Sequence, residues 1–348
     1  MKRFLVLDAL RFLLALCVAI GHLNIFPLFG PIDQPDVVLN FLARGFRTVV
    51  YGPAAVIAFF VISGFCIHYP FAATKDVCPI ARFYARRYIR ILVPVFATVA
   101  IFKLVSPDTH ILGRDSILWH STLWSIVCEE IYYAFYPLLN RIARETGWAR
   151  LLITSCLPAI FVCVYYFPSV EWQDIGIVAT TLTLAPVWLS GCYLAENISA
   201  RNQTYSTSEI WLYRLGAWTV MWLALILHAH TFFYQTVTGP LVGAAYYFWI
   251  KAEIGYYRER SPWRLLVWGG RWSYSLYLIH PIAIGACLRY GGLSAQSRGE
   301  WMLIMAVTLV ASYLFYVLVE RPSHMFARRI PLLSTESRSL GPTSTKSA

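Results

Sequence analysis

The chain has 348 residues, of which 58% are hydrophobic and 14% charged, with a formal net charge of +11. A mean hydropathy of +0.56 excludes an ordinary soluble domain, and repeated apolar stretches of spanning length predict an all-α, polytopic integral membrane bundle. The positive charge gathers at helix ends and forms no separable basic face, which excludes a nucleic-acid-reading module.

In chain order, about ten transmembrane helices are expected, near residues 4–24, 49–69, 91–105, 119–139, 151–167, 175–195, 211–229, 237–250, 272–290 and 301–319. Loops are mostly short, so residues 1–333 read as one membrane domain with no soluble catalytic domain on either side. The segment from Asn24 to Thr48 holds Pro27, Gly30, Pro31 and Pro35 and is expected to be irregular. Residues 334–348 are Ser/Thr-rich and polar and are expected to form a disordered cytoplasmic tail. With the N-terminus inside, 21 of the 29 Lys and Arg fall on the inner side and six on the outer, leaving Arg11 and Arg271 within helices. That bias predicts a multi-pass protein of the inner (plasma) membrane with both termini cytoplasmic. Arg11 interrupts the first apolar run and no small-x-small site follows it, so this run reads as a retained anchor rather than a signal peptide. The eight cysteines contain no C-x-x-C and read as small apolar residues, not a disulfide framework.

The first predicted helix carries Arg11 and His22 inside an apolar stretch, where a charge costs ~2.5–3.5 kcal/mol on insertion scales. Eleven residues amount to ~1100° of helical rotation and ~16 Å of rise, which places both side chains on one face at two depths. Asp8 shares that face and can partner the guanidinium. Intramembrane ionisable groups mark functional sites by default, and Arg11 and His22 are expected to line one cavity entered from the cytosol. The alternative is a structural Asp8–Arg11 pair with an unrelated His22. In the second helix, FFVISGF places Ser63 and Gly64 where close helix packing is expected.

Next comes RFYARRYIRILVP, residues 82–94, which gathers Arg86, Arg87 and Arg90 at the entrance of the third helix. Arg87 and Arg90 share a face, and such a fork of guanidinium groups suits phosphate; positive charge meeting lipid headgroups is the alternative. The fourth helix reads LWSIVCEEIYYAFYP, in which Glu129 and Glu130 interrupt an apolar run and Tyr133 lies one turn beyond Glu130. Adjacent acids point about 100° apart, so only one need face a site, and Glu130 with Tyr133 is the expected pair, suited to orienting a catalytic histidine. In RWSYSLYLIHP, residues 271–281, His280 follows hydroxyls at Ser273, Tyr274, Ser275 and Tyr277, and Pro281 bends the helix there. His280 reads equally as a functional group or as an interhelical hydrogen bond. VERP, residues 319–322, ends the last helix with an expected cytoplasmic ion pair that anchors it.

His228 and His230 are about 200° apart on a helix and cannot jointly hold a metal. No G-x-S-x-G, H-E-x-x-H or Gly-rich phosphate loop is present, and no metal is expected. Trp119, Trp172 and Trp301 fall near outer helix ends, where they can stack on sugars or simply form an aromatic belt.

Taken together and in order, LDALR with His22, FFVISGF, RFYARRYIRILVP, LWSIVCEEIYYAFYP, YSLYLIHP and VERP resemble acyltransferase family 3, the membrane O-acyltransferases that modify bacterial polysaccharides and related acceptors. The resemblance implies a ten-helix membrane fold and a cytoplasmic acyl-CoA, commonly acetyl-CoA, as co-substrate. It implies His22 as catalytic base with Arg11 in the same motif, Arg87 and Arg90 (beside Arg86) as contacts to the donor, and Glu130 and Tyr133 as the acid–tyrosine motif. Asp8, Ser275 and His280 are expected to support the site. Ala9 and Phe12 stand where relatives commonly carry glycine, and Val127 where they carry serine. Short loops imply an acceptor that comes to the bilayer, a glycan or lipid-linked saccharide. The rival class is a transporter or flippase of an anionic metabolite or acyl donor, against which the lack of internal repeats counts. Oligomeric state is not encoded in these motifs.

Overall fold

The computed structural model describes residues 4–30, 35–47, 49–74, 79–108, 110–111, 122–167, 171–198, 204–231 and 234–330. Trp119 and the 334–348 tail lie outside the described residues. The described secondary structure is all helical: α1 (Leu5–His22), α2 (Val37–Arg47), α3 (Gly52–Thr74), α4 (Ile80–Val105), α5 (Leu123–Thr146), α6 (Trp148–Tyr165) and α7 (Gly176–Ile198). There follow α8 (Thr207–His230), α9 (Gln235–Tyr256), α10 (Arg264–Gly269), α11 (Ser273–Tyr290), α12 (Arg298–Phe315), a π-helical turn (Tyr316–Glu320) and α13 (Arg321–Arg328).

Among the described residues, seven helical stretches, not ten, are long and apolar enough to cross a membrane. Helices α5, α9 and α11 are comparable in length, at 24, 22 and 18 residues, but carry the polar groups that the bundle interior needs. Three boundaries also move. Helix α4 starts at Ile80, so the arginine cluster lies within its first three turns rather than ahead of them. Helix α9 continues to Tyr256, and α12 runs through the π-helical turn into α13. The segment expected to be irregular contains α2, whose VVLNFLARGFR puts Asn40, Arg44 and Arg47 on one strip and leaves Val37, Val38 and Phe41 exposed on another. Its 3.6-residue apolar period outweighs the prolines, which all precede it.

Polarity is distributed as lipid demands. Helix α6 turns Ile153, Leu157, Ile160, Phe161 and Val164 outward, while Ser63, His68, Ser125, Thr180, Ser275, His280 and Glu320 are buried in the bundle. The tightest crossing is α3 on α7. A Cβ on Gly64 would lie 2.0 Å from the Trp188 carbonyl oxygen, and one on Gly191 would lie 2.0 Å from that of Val61. Each helix therefore admits the other's backbone, as the small residues of FFVISGF suggested. On the other flank, the α10–α11 turn presses on α1. A Cβ on Gly270 would lie 2.1 Å from the Asp8 carbonyl oxygen, so glycine there brings the start of α11 flush against α1. Helix α4 packs on α11, the π-helical turn and α13. These crossings enclose the site between α1, α3, α4, α5 and α11.

Candidate active site

A cavity of about 630 Å³ occupies the bundle interior. It reaches from Phe4, Tyr69 and Arg328, at the N-terminal end of α1, to Val56, Ser125 and Tyr277. Five arginines line it (Arg11, Arg87, Arg90, Arg271 and Arg328) against three acids, Asp8, Glu129 and Glu320. The lining is therefore cationic, and it suits a polyanion.

Asp8 holds Arg11 from one turn away, Oδ1 to Nη1 at 3.9 Å. The Arg87 guanidinium stacks over the Tyr133 ring, 3.9 Å from its centroid, and its buried Nε has no hydrogen-bond partner. Arg90 Nε donates to His324 Nε2 at 3.2 Å. Arg87 and Arg90 thus share the cavity face, whereas Arg86, about 100° round α4, is not among the lining residues.

The acid that faces the cavity is Glu129, not Glu130. Tyr133 donates its hydroxyl proton to Glu129, one full turn before it on α5, a spacing that brings two helical side chains together more directly than three residues do. The Ser63 hydroxyl lies 2.6 Å from the Tyr133 oxygen, and Trp188 Nε1 donates to Ser63 at 3.3 Å. Because a carboxylate only accepts, the direction is fixed: Trp188 to Ser63 to Tyr133 to Glu129. Ser63 is therefore part of the site as well as of a packing motif. Glu130 has both carboxylate oxygens buried with no hydrogen-bond partner, outside the cavity and on the flank of Arg87.

VERP departs furthest from its expected role. Glu320 is only 2% exposed and lines the cavity instead of anchoring the helix end. One carboxylate oxygen accepts from the Ser275 backbone N–H (3.0 Å) and hydroxyl (2.5 Å), and the other lies 3.6 Å from His324 Nε2. The π-helical turn 316–320 is what re-aims it. Ser275 is accordingly committed to Glu320 and is not a free donor toward the reaction.

His22 and His280 meet at the other end of α1. His280 is fully buried, and its Nδ1 lies 3.0 Å from the Leu276 carbonyl oxygen. Its Nε2 lies 3.3 Å from His22 Nδ1, which is itself 2.8 Å from the Val18 carbonyl oxygen. The expectation that Arg11 and His22 line one cavity is corrected. Arg11 does, but His22 is exposed at the end of its helix and is not among the lining residues. Tyr277 stands between. Its ring lines the cavity, lies 5.9 Å from that of His280, and is held by hydroxyl contacts to Ser125 Oγ (2.7 Å) and the Thr122 carbonyl (3.0 Å). Only one helical turn, ~4.5 Å of rise, separates Tyr277 from His280.

Two of the tryptophans expected near outer helix ends fall among the described residues. Trp172 is 1% exposed, packed on Gly239 and Trp124. Trp301 donates from Nε1 to the Asn24 carbonyl at 2.9 Å and so pins the chain just after His22. The ionisable lining residues that the sequence did not single out for the site are Glu129, Arg271, Glu320, His324 and Arg328. Their signal was the charge itself, since each is ionisable beside apolar helix, but its facing depended on helix length and on the π-helical turn.

An all-helical membrane bundle that holds a cation-lined cavity one turn from a paired imidazole has the layout of a membrane-embedded group-transfer enzyme. A family model described as an acyltransferase domain matches residues 4–317, and the chain belongs to that family, acyltransferase family 3. It is similar to "Acyltransferase MdmB" of Streptomyces mycarofaciens, 26% identical over 373 aligned residues that cover 94% of this chain and 93% of the relative. No solved structure matches it.

Proposed function

We propose that this acyltransferase moves an acyl group, acetyl by the family resemblance, from cytoplasmic acyl-CoA to a hydroxyl of an envelope or exported glycan. The observation that carries the reading is the five-arginine cavity ending beside the His22–His280 pair. Coenzyme A is a polyanion with a long, thin arm. Arg87, with an unsatisfied buried Nε, and Arg90 and Arg328 are the residues that would hold its phosphates, and the arm would run past Arg11 toward Tyr277. In this reading α5, α9 and α11 span the bilayer with the seven apolar stretches, giving ten spans in an inner membrane. The arginine end and both termini face the cytoplasm, in keeping with the lysine and arginine bias.

His22 would accept the proton of the acceptor hydroxyl as its oxygen forms the new bond to the acyl carbon. The carbon–sulfur bond breaks, and the same proton passes to the leaving sulfur. A base placed within hydrogen-bond reach contributes roughly 10²–10⁴-fold. Glu129, through Tyr133, would fix the geometry of the Arg87 wall, and Arg11, ~16 Å of helix rise from His22, would line the path of the donor's arm rather than touch the reacting carbonyl. The acceptor would reach His22 from the exposed end of α1 while the donor arrives through the arginine cavity.

The test is coenzyme A thiol release by membranes containing the protein, supplied with acetyl-CoA and an acceptor-containing envelope extract. Wild-type protein should release thiol and transfer label to glycan, and His22→Ala should do neither while remaining inserted. Equal release by His22→Ala would remove the histidine from the reaction. Uptake of the donor without any transfer would favour a carrier instead.

A further inference from the structure

We infer that His280 is a positioning residue that fixes the direction of the His22 ring and so where its basic nitrogen, Nε2, points. The inference rests on the acyltransferase reading and adds to it a role for a group outside the donor cavity.

The argument is one of hydrogen bookkeeping along four atoms. Leu276 offers a carbonyl oxygen 3.0 Å from His280 Nδ1. A carbonyl only accepts, so that nitrogen carries the proton, and His280 Nε2 of the neutral ring is left with a lone pair. Val18 likewise offers a carbonyl 2.8 Å from His22 Nδ1, so the His22 proton also sits on Nδ1. Across the 3.3 Å gap, His22 Nδ1–H therefore faces an acceptor at His280 Nε2 and is shared between it and the Val18 oxygen. The remaining His22 nitrogen, Nε2, is the one with a free lone pair, and the His22 side chain is exposed. The two imidazoles are tilted at 57° with centroids 5.0 Å apart, so the contact is edge-on, through nitrogen, rather than a stack.

The Val18 carbonyl alone would set the tautomer but not the ring's direction, since it lies one turn back on the same helix. His280 adds a second, fixed point from another helix. It is itself immobile: fully buried, tied to Leu276, and packed against Tyr277. When His22 takes up a proton at Nε2, its Nδ1–H becomes a charged donor, and the lone pair of His280 is placed to receive it. A carboxylate does this job in the serine hydrolase triad; here a neutral imidazole suits an apolar, membrane-embedded setting, where a buried anion would be costly.

The test compares two replacements of similar length and flexibility, His280→Gln and His280→Met, with wild type in the thiol-release assay, measuring kcat and the KM for acetyl-CoA. Glutamine retains an oxygen that can accept from His22 Nδ1–H; methionine fills the same volume without a comparable acceptor. The expected result is that His280→Met lowers kcat roughly ten- to hundredfold, the worth of a hydrogen bond to a charged group, with KM for the donor within twofold. His280→Gln should recover most of that loss. Equal kcat for the two variants, or a His280→Met enzyme within twofold of wild type, would overturn the inference. Those outcomes are distinct from failure of the acyltransferase reading, in which wild-type protein itself releases no thiol or His22→Ala releases as much.

Discussion

The two ends of α1 solve different problems with different chemistry. Around Arg11, the bundle keeps a cavity of about 630 Å³ and fills its wall with fixed charge, five arginines steadied by three acids and a tyrosine ring. Around His22, among the described residues, two imidazoles and two backbone carbonyls set the position of protons. Charge binds at long range and tolerates imprecise placement, whereas proton transfer needs a stated atom within about 3 Å. The molecule keeps the two apart by one turn of α11, with Tyr277 as the partition. Substitutions at one end should therefore change how tightly the donor binds, and at the other how fast it reacts.

The largest effect is expected at the imidazole end. His22→Ala should lower kcat by about 10²–10⁴-fold with donor KM little changed, read from thiol release at saturating acetyl-CoA. A large rise in KM would merge the two ends. Next, at the arginine end, Arg87→Ala or Arg90→Ala should raise donor KM roughly ten- to hundredfold, as expected for loss of a charge-assisted hydrogen bond. Lysine at either position should restore only part of that, because it cannot offer a planar fork. A fall in kcat at unchanged KM would show that these guanidinium groups act on the reaction instead.

A smaller contrast separates the paired acids. Glu129→Gln should raise donor KM by about tenfold with kcat little changed, since the Tyr133–Ser63–Trp188 chain that supports Arg87 ends on its carboxylate. Glu130→Gln should leave activity within about threefold, because its carboxylate lies outside the cavity without a hydrogen-bond partner. The reverse ranking in a side-by-side assay would reinstate Glu130 as the working acid. Smallest is Ser275→Ala, which removes one of two hydrogen bonds to Glu320 and should raise donor KM about two- to fivefold with kcat unchanged, since the backbone N–H remains.

Much of this arrangement was legible in the residues. A helical period alone placed Asp8 with Arg11, and Arg87 with Arg90, and the glycine of FFVISGF foretold a close helix crossing. What escaped has identifiable causes. Glu129 and Glu130 are adjacent, so nothing local says which faces inward; the answer came from the neighbouring helices α3 and α4. Glu320 depends on a π-helical turn that an α-helical pattern cannot anticipate. His280 and His22 lie 258 residues apart, and their pairing exists only because the glycines before α11 let it lie against α1. Helix α2 was hidden by the prolines and glycine ahead of it. The shared cavity failed because equal facing along one rod says nothing about what a neighbouring helix, here through Tyr277, inserts between two depths.

The division of labour along α1 is tested most directly by donor binding without turnover. Coenzyme A affinity would be measured on detergent-solubilised wild-type, His22→Ala and Arg87→Ala/Arg90→Ala proteins by calorimetry at fixed salt. The account predicts that His22→Ala binds coenzyme A within about twofold of wild type, while the double arginine variant loses at least about tenfold, the loss of charge-assisted bonds. Binding that survives in the arginine variant, or that collapses in His22→Ala, would contradict it.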